Sequence, residues 1–514
     1  MTSPYDTASP ATPAVSDGAP WRRLDPRMLA IRPLQALFRA AIPLGVVLIA
    51  QSNSGSQPWF GLIGGVIVVV AGMAHWFTTR YRIGVTQVEL ATGLLRRRRL
   101  SVPLDRVRSV DVTATPLHRL LGVAIVKVGT GSQVAGDHDE VTLDAVSADE
   151  AARLRGELLH RSPRTAHDAG AAPDRDAAVQ VEMPIARLDL RWLRFAPFTL
   201  SGLVLAAAIV GFVANFVNEA QLDFGGLGTV RDAADQVKRL PLAGVAVVVA
   251  AGLLVVVSLL SILSYLVAFW NFTLTRHPGG TLHVQRGLLT TRAVSLEERR
   301  LRGVEVSEPL LLRAARGART SAIATGLRAG RGTERGGAML LPPAPVAEAH
   351  RVAGAVLREP DPTVTPLHRH GPAARRRRYT RALGVVVLLV AALYGAHRWA
   401  GLPSWPALVA LLLLPVAAVL GTDRYRNLGH ALTGGYLVGR SGSVVRDTFA
   451  LRREGVIGWR FDRSFFQRRA GLTTLTATTA GGSSAYTVPD IEEGAAVRLA
   501  DKAVPGLLTP FLQR

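Results

Sequence analysis

The sequence predicts an α-helical integral membrane protein with six transmembrane helices, arranged as three hairpins, and three cytoplasmic β-rich modules, each closed by a C-terminal helix. Long apolar segments occur in three pairs along the 514 residues, and a glycine-punctuated β-type pattern follows each pair. Hydrophobic residues make up 48% of the chain and its mean hydropathy is +0.24, which is high for a soluble protein and favours membrane segments.

The β-type pattern is clearest in its first copy. Residues 85–90 and 107–112 alternate between apolar and polar, and residues 124–128 form a third apolar-rich strand. In each copy one glycine stands at a predicted hairpin turn and a second follows a basic, apolar stretch, with separations of 29, 30 and 29 residues. These repeat-defining glycines are Gly93 and Gly122, Gly287 and Gly317, and Gly442 and Gly471. The spacing predicts one β module used three times.

Each repeat begins with two apolar spans and continues into a module. The first third contains a disordered basic tail (1–32), transmembrane hairpin 1 (33–77, spans 34–50 and 59–77), module 1 (78–160) and a linker (161–190). The second contains transmembrane hairpin 2 (191–270, spans 195–217 and 242–270, outer loop 218–240), module 2 (271–358) and a linker (359–380). The third contains transmembrane hairpin 3 (381–421, spans 382–396 and 402–421) and module 3 (422–512). About 20 apolar residues are enough to cross a bilayer as a helix.

The closing helices are predicted from their N-terminal signals. Ser147 precedes two acidic residues and is expected to cap the closing helix of module 1. A helix is expected near 347–357 in module 2, and Asp490 is expected to be the N-cap of the last helix in module 3.

The charge distribution predicts the orientation. The formal net charge is +22, and 57 of the 60 basic residues are arginine, a bias that suggests a bacterial genome of high GC content. Within the hairpins, the connections between spans carry only Arg231, Lys238, Arg239 and Arg398. Because basic residues collect on the cytoplasmic side, both termini and all three modules are expected in the cytoplasm of a multi-pass protein of the bacterial plasma membrane.

Three such modules, each after a transmembrane hairpin, resemble the bacterial pleckstrin-homology membrane proteins of the YdbS/YdbT-like type. The resemblance rests on Gly93-Leu94-Leu95 with 103–107, on Gly287-Leu288-Leu289 with 296–299, and on 466–472 running into 478–482. It implies a strongly bent antiparallel sheet, or two packed sheets, of about seven strands closed by a C-terminal helix. It implies no catalytic residues.

The sequence offers no candidate for catalysis or cofactor binding. The absence of cysteine excludes disulfides, thiolate metal sites and cysteine nucleophiles, and the 12 histidines lack metal-ligand spacing. No serine elbow, phosphate-binding loop or dinucleotide fingerprint is present. We therefore expect a protein that is not an enzyme, has no cofactor, metal or small-molecule substrate, and does not bind nucleic acid.

The arginine run Arg96, Arg97, Arg98 and Arg99 is the main candidate binding feature, and the basic, apolar stretch before the second glycine of each repeat is a secondary one. The run is interpreted first as a solvated hairpin that follows the cytoplasmic charge bias, and second as a contact for anionic lipid. Modules 2 and 3 hold one arginine at the corresponding place, so any specificity of this run belongs to module 1.

The functional expectation is a membrane-anchored scaffold that presents its modules to protein partners at the cytoplasmic membrane face, in envelope maintenance. Besides the bilayer, the expected partner is a protein or a second copy of the chain, with a shorter one-module relative as one candidate. Anionic-lipid binding and assistance of export or transport are the alternatives.

Overall fold

A computed structural model describes residues 21–27 except 24, 79–154 with gaps at 85–86, 93–97, 104–108, 130–139 and 152, 183–199, four positions between 204 and 211, 241–325, and 339–511. The chain divides into two compact units, Met1–Pro173 and Asp174–Arg514. The first unit contains module 1, and the second contains modules 2 and 3.

Module 1 contains two antiparallel strand groups. The first is a four-stranded sheet in the order β1-β2-β3-β4, formed by Arg22–Arg23, Arg80–Ile83, Gln87–Thr92 and Arg98–Pro103. The second pairs in the order β7-β6-β5, formed by Ser109–Ala114 (β5), Val123–Gly129 (β6) and Glu140–Ser147 (β7), with the short helix α1 at Pro116–Leu120. Alternating valines such as Val88, Val110 and Val126 are fully buried between them. Ser147 Oγ accepts from Glu150 N at 3.3 Å, which confirms it as the cap of the closing helix.

Module 2 repeats this arrangement with a transmembrane-length helix near its start. Its elements are Met183–Arg187 (β8), Leu242–Phe269 (α2), Thr273–His277 (β9), Thr281–Arg286 (β10), Thr291–Glu297 (β11), Leu301–Pro309 (β12), Leu310–Ala314 (α3), Gly317–Ala324 (β13), Met339–Pro345 (β14) and Val346–Leu357 (α4). The strands β8-β9-β10-β11 pair antiparallel in that order, and so do β14-β13-β12. Helix α4 buries Val352 and Val356 against the strands and closes the module where the sequence predicts it.

In module 3, three apolar helices separate the short first strand from the remaining strands. Its elements are His368–Arg369 (β15), Pro372–Ala400 (α5), Trp405–Leu411 (α6), Leu413–Arg426 (α7), Gly429–Thr433 (β16), Tyr436–Ser441 (β17), Val445–Arg452 (β18), Val456–Asp462 (β19), Phe465–Arg469 (α8), Leu472–Thr479 (β20), Ala485–Glu492 (β21) and Glu493–Ala503 (α9). The expected pair of sheets with about seven strands is therefore present. The predicted linker 359–380 is structured instead, because Pro362 and Thr363 are buried, β15 joins the sheet and α5 begins at Pro372.

Modules 2 and 3 share a sheet. The seven-stranded order is β14-β13-β12-β18-β17-β16-β15, so the second sheet of module 2 continues into the first sheet of module 3. Strands β12 and β18 pair antiparallel from Gly303 opposite Leu451 to Pro309 opposite Val445. The remaining strands of module 3 form a separate three-stranded sheet, β19-β20-β21.

The described residues contain three candidate membrane spans, Ala250–Phe269, Pro372–Ala400 and Trp405–Arg426, rather than the predicted six. The predicted spans 34–50 and 59–77 and most of 195–217 lie outside the described residues. Phe195, the predicted start of the third span, lies in a 3-10 helix at Leu190–Phe198 and is fully buried in the core of module 2. Helices α6 and α7 are separated at Leu412, because Pro415 has no N–H to donate and its ring clashes with the carbonyl four residues earlier.

Candidate functional site

The joint between modules 2 and 3 shows what a module edge can bind. Glu308 in β12 is 4% exposed and stands opposite Arg446 in β18. Arg446 Nε donates to Glu308 Oε1 at 3.0 Å, and its Nη2 donates to the second carboxylate oxygen. Leu310 N, at the start of α3, donates to Val444 O at 2.7 Å. Backbone pairing and a buried two-bond ion pair therefore fix the next module on this edge.

The corresponding edge of module 3 is β19. Gly303 in β12 and Gly458 in β19 each lie at a register shift in the pairing with the following strand. Because the shift occurs at the same place in both modules, Gly303 can be aligned with Gly458, and β12 with β19 residue by residue. Among the described strands, β19 pairs only with β20. Ile457 and Phe461 in β19 are 65% and 36% exposed, so exposed apolar side chains lie along this strand. An unpaired strand edge with apolar side chains is a template for another strand.

A second feature of module 3 is a cavity of about 490 Å³, called here the basic cavity. Its charged lining residues are Arg377, Arg378, Arg381, Arg424 and Asp490, and the glycine turn 441–445 forms one wall. It lies where α5 and α7 meet the strands of module 3, because the arginines belong to these two helices and the aspartate belongs to β21.

Asp490 is the polar centre of this cavity. Its side chain is fully buried, and it accepts from Arg377 Nη1, lies 2.7 Å from Arg378 Nη2, and accepts from Gln467 Nε2 at 2.9 Å. The expectation that Asp490 caps the last helix is wrong, since it lies within β21 with a left-handed φ of 58° and α9 begins at Glu493. Aspartate tolerates this backbone conformation better than most residues.

The repeated module matches a known sequence family. The sequence model described as Bacterial PH domain matches residues 34–162, 205–359 and 383–504. The chain belongs to the bacterial PH domain family. No solved structure matches the chain significantly.

Two relatives of this bacterial PH protein come from Bacillus subtilis (strain 168). The UPF0699 transmembrane protein YdbT is 21% identical over 476 residues, covering 90% of this chain and 92% of the relative. The UPF0699 transmembrane protein YdbS is 25% identical over 150 residues, covering 27% of this chain and 91% of the relative. The YdbS/YdbT-like resemblance is thus confirmed, and the family includes a chain of one-module length.

The predicted lipid-contact residues lie mostly at the margin of the described structure. Arg96, Arg97 and the turn residue Gly93 fall outside the described residues. Arg98 and Arg99 belong to β4, and the Arg99 side chain is exposed. The structure brings neither of the two described arginines into the basic cavity, which lies in the other compact unit.

The turn glycines of modules 2 and 3 stand where a side chain cannot. Gly287 and Gly442 have φ of 110° and 105°, and an added Cβ would lie 2.0 Å from Thr290 O and 1.8 Å from Val445 O. Both turns are docked on the end of an apolar helix. Gly287 N donates to Trp270 O at 2.9 Å, and Gly442 O accepts from Asn427 Nδ2 at 3.2 Å. The turn therefore couples each module to its membrane helix.

The second glycine of each repeat follows the short helix that connects the first two strands of the second sheet. Gly122 and Gly471 have left-handed φ of 69° and 65°. In module 2 the left-handed residue is Arg316, with φ of 60°, which explains the separation of 30 residues. Gly317 is required for space instead, because an added Cβ would lie 2.6 Å from Leu312 Cδ1.

Sequence reasoning also missed a histidine pair beside Asp490. His370 Nδ1 lies 3.0 Å from Asp490 O and must donate, because a carbonyl oxygen only accepts. Neutral His370 therefore accepts at Nε2 from His430 Nδ1, 3.0 Å away. Burial lowers the pKa of both rings, and the neighbouring histidines help to lower that of His430 to about 4. The described residues contain no group of three or more His, Cys, Asp or Glu side chains arranged to hold a metal.

Four consecutive arginines, 375–378, precede the apolar part of α5, a position typical of the basic charge that flanks membrane helices. Two of these four side chains, Arg377 and Arg378, turn inward and share the buried Asp490. A carboxylate 112 or 113 residues away gives no local signal, so only the packing of α5 against β21 identifies this site.

Proposed function

We propose that this bacterial PH protein is a non-enzymatic scaffold of the plasma membrane, with multi-pass topology and cytoplasmic modules, that acts in envelope maintenance by binding a protein partner at the β19 edge. One observation carries the proposal: the equivalent edge in module 2, β12, holds a whole neighbouring module through β18. Strand addition uses main-chain hydrogen bonds for affinity and side-chain contacts for specificity, and β19 offers both.

The proposed partner is a separate one-module relative that adds the strand equivalent to β18. Aligning β19 with β12 places Arg463 where Glu308 stands, so the partner should present an acidic residue where β18 presents Arg446. A second copy of this chain fits less well. Alignment of Gly93 with Gly442 places Arg97 at the Arg446 position. In a pair of copies, Arg97 of one copy would therefore stand opposite Arg463 of the other, and like charges directly opposite each other destabilise a strand pair.

The test uses the absence of cysteine from the chain. A single Ile457→Cys substitution in the full-length protein, labelled in native membranes with a thiol-reactive benzophenone, places the only photo-cross-linker of this chain on the β19 edge. We expect an adduct that peptide mass spectrometry assigns to a one-module bacterial PH protein. Thr487→Cys, at an exposed position of β21, is the matched control and should give no such adduct.

Three results would contradict the proposal in different ways. Adducts to lipid alone, or no adduct, would argue against a protein partner at β19. Adducts to a second copy of the chain would keep the edge as a binding site and reject the one-module partner. Equal adducts from positions 457 and 487 would show that the contact is not specific to this edge.

A further inference from the structure

The basic cavity lies at the ends of the apolar helices α5 and α7 that adjoin the strands of module 3. The apolar part of α5 begins at Ala382, directly after Arg381, and that of α7 ends at Gly421, shortly before Arg424. The two helices are held at this level by a 2.7 Å hydrogen bond between the Tyr379 and Thr422 hydroxyls. Lipid headgroups lie at this boundary in any membrane that α5 and α7 cross.

The lining of the cavity carries excess positive charge. Four arginines and one carboxylate line it, so three positive charges have no counterpart in the lining. Arg377 and Arg378 share Asp490, whereas Arg381 and Arg424 have no carboxylate partner among the described residues. The nearby Asp423 does not serve them, because its Oδ2 accepts from Arg313 and from Ser443, both at 2.9 Å.

Two of the arginines that line the cavity also have unused hydrogen-bond donors. The Nε atoms of Arg377 and Arg378 are buried and have no hydrogen-bond partner in the described structure. Buried donors of this kind are rare, and leaving a charged one unpaired costs more than leaving a neutral one. Guanidinium groups match the oxygens of phosphate in geometry and charge.

We propose that the basic cavity binds a phosphate group, and that this phosphate belongs to the headgroup of an anionic membrane lipid. The two exposed arginines, Arg381 and Arg424, contact the phosphate at the mouth, and the pair held by Asp490 keeps the interior positive. The acyl chains then follow the exposed apolar faces of α5 and α7, where Val385 is 69% exposed and Val419 is 67% exposed. Basic pockets between transmembrane helices on the cytoplasmic side are suited to such lipids.

This site also differs from the arginine run of module 1. The cavity belongs to module 3 and its membrane helices, and it includes the turn glycine Gly442 in its wall. A bound lipid would therefore contact both the helix ends and the β17–β18 turn. The phosphate would link the position of module 3 to the lipid composition of the membrane.

The test measures lipid binding to the full-length protein in detergent by native mass spectrometry, with dioleoyl phosphatidylglycerol and dioleoyl phosphatidylcholine as probes. The variant Arg381→Gln with Arg424→Gln removes the two unpaired charges at the mouth. The matched control, Arg376→Gln with Arg426→Gln, removes one exposed arginine from each of the same helices outside the cavity. We expect phosphatidylglycerol to bind the cavity variant about 30-fold more weakly, with less than about a twofold change in the control.

Equal losses in both variants would reduce the effect to diffuse charge attraction and overturn the proposal. Unchanged binding in the cavity variant, or equal binding of the two lipids by the wild type, would also overturn it. Inorganic phosphate distinguishes the source of the phosphate. If excess inorganic phosphate displaces phosphatidylglycerol completely, the cavity binds soluble phosphate and the lipid assignment is wrong.

Discussion

The second sheets of modules 2 and 3 have the same strand order and the same glycine irregularity, yet their edges differ. The β12 edge of module 2 is covered by β18 and contains a buried ion pair, whereas the β19 edge of module 3 has no partner strand among the described residues. At the aligned positions, Glu308 is almost fully buried and Arg463 is exposed. The same module surface therefore serves as an internal joint in one place and as an accessible edge in the other.

The largest expected effect comes from breaking the internal joint. Glu308→Ala leaves Arg446 without the carboxylate that pairs with it across β12 and β18. Removing one member of a buried ion pair costs about 3 kcal/mol or more. Hydrogen exchange of the full-length protein should show faster exchange in β12 and β18 than in the wild type. Arg463→Ala, which breaks only the exposed pair with Glu493, should cost less than about 1 kcal/mol.

Equal effects of the two substitutions would mean that the joint does not depend on this ion pair. A paired replacement, Glu308→Met with Arg446→Leu, offers a sharper control. Well-packed apolar residues can replace a buried ion pair with little loss, so this variant should recover most of the wild-type protection of β12 and β18.

The turn glycine gives the next largest effect. In Gly442→Ala the added methyl group would meet Val445 O at 1.8 Å with φ at 105°, so the turn must move and its contact with Asn427 is lost. We expect a loss of at least about 2 kcal/mol in the free energy of unfolding. Gly471→Ala has a left-handed φ of 65° but open space around the added atom, and should cost about 1 kcal/mol. Denaturant unfolding of the full-length variants measures both, and an equal loss would contradict the steric argument.

Local patterns made much of the fold predictable. Apolar length placed α2 at Leu242–Phe269 against a predicted span of 242–270, because spanning segments have a compositional signal independent of their neighbours. The closing helix Val346–Leu357 and the Ser147 cap followed from short-range capping and periodicity. The repeat spacing predicted three copies of the module, and the turn glycines Gly287 and Gly442 have nearly the same positive φ, 110° and 105°.

The features that were missed depend on contacts far apart in sequence. Nothing local distinguishes β12, which pairs with β18, from β19, which does not, since both have the length and alternation of an ordinary strand. Asp490 resembled a helix cap because acidic residues follow it, but its partners Arg377 and Arg378 are more than 100 residues away. The arginine run in module 1 is visible in the sequence because its four residues are consecutive. The basic cavity is not, because it combines arginines from two helices that are separate in sequence.

A change of pH should affect the first sheet of module 3. The pKa of His370 and His430 lies below the usual value near 6.5, because burial favours the neutral rings. A depressed folded-state pKa gives full stability above about pH 6.5 and a loss as the pH falls toward 4, here roughly 1–2 kcal/mol. Thermal unfolding between pH 7 and 4.5 should show this loss of stability with falling pH, and His430→Gln should make the loss smaller. His277→Gln, in the first sheet of module 2, is the control and should leave the pH dependence unchanged, because the His370–His430 pair remains.

The smallest effect on stability, and the most direct test of the comparison, comes from making the free edge resemble the covered one. Arg463→Glu introduces, directly after β19, the charge that Glu308 has in β12, and an exposed change of this kind should alter stability by less than about 1 kcal/mol. Its effect should appear in partner choice. With the cross-linker at Ile457→Cys, adducts to a one-module partner with an acidic residue should fall about tenfold, while adducts to a second copy, with arginine at 97, should rise. If the adduct pattern does not change, then the charge at position 463 does not select the partner strand.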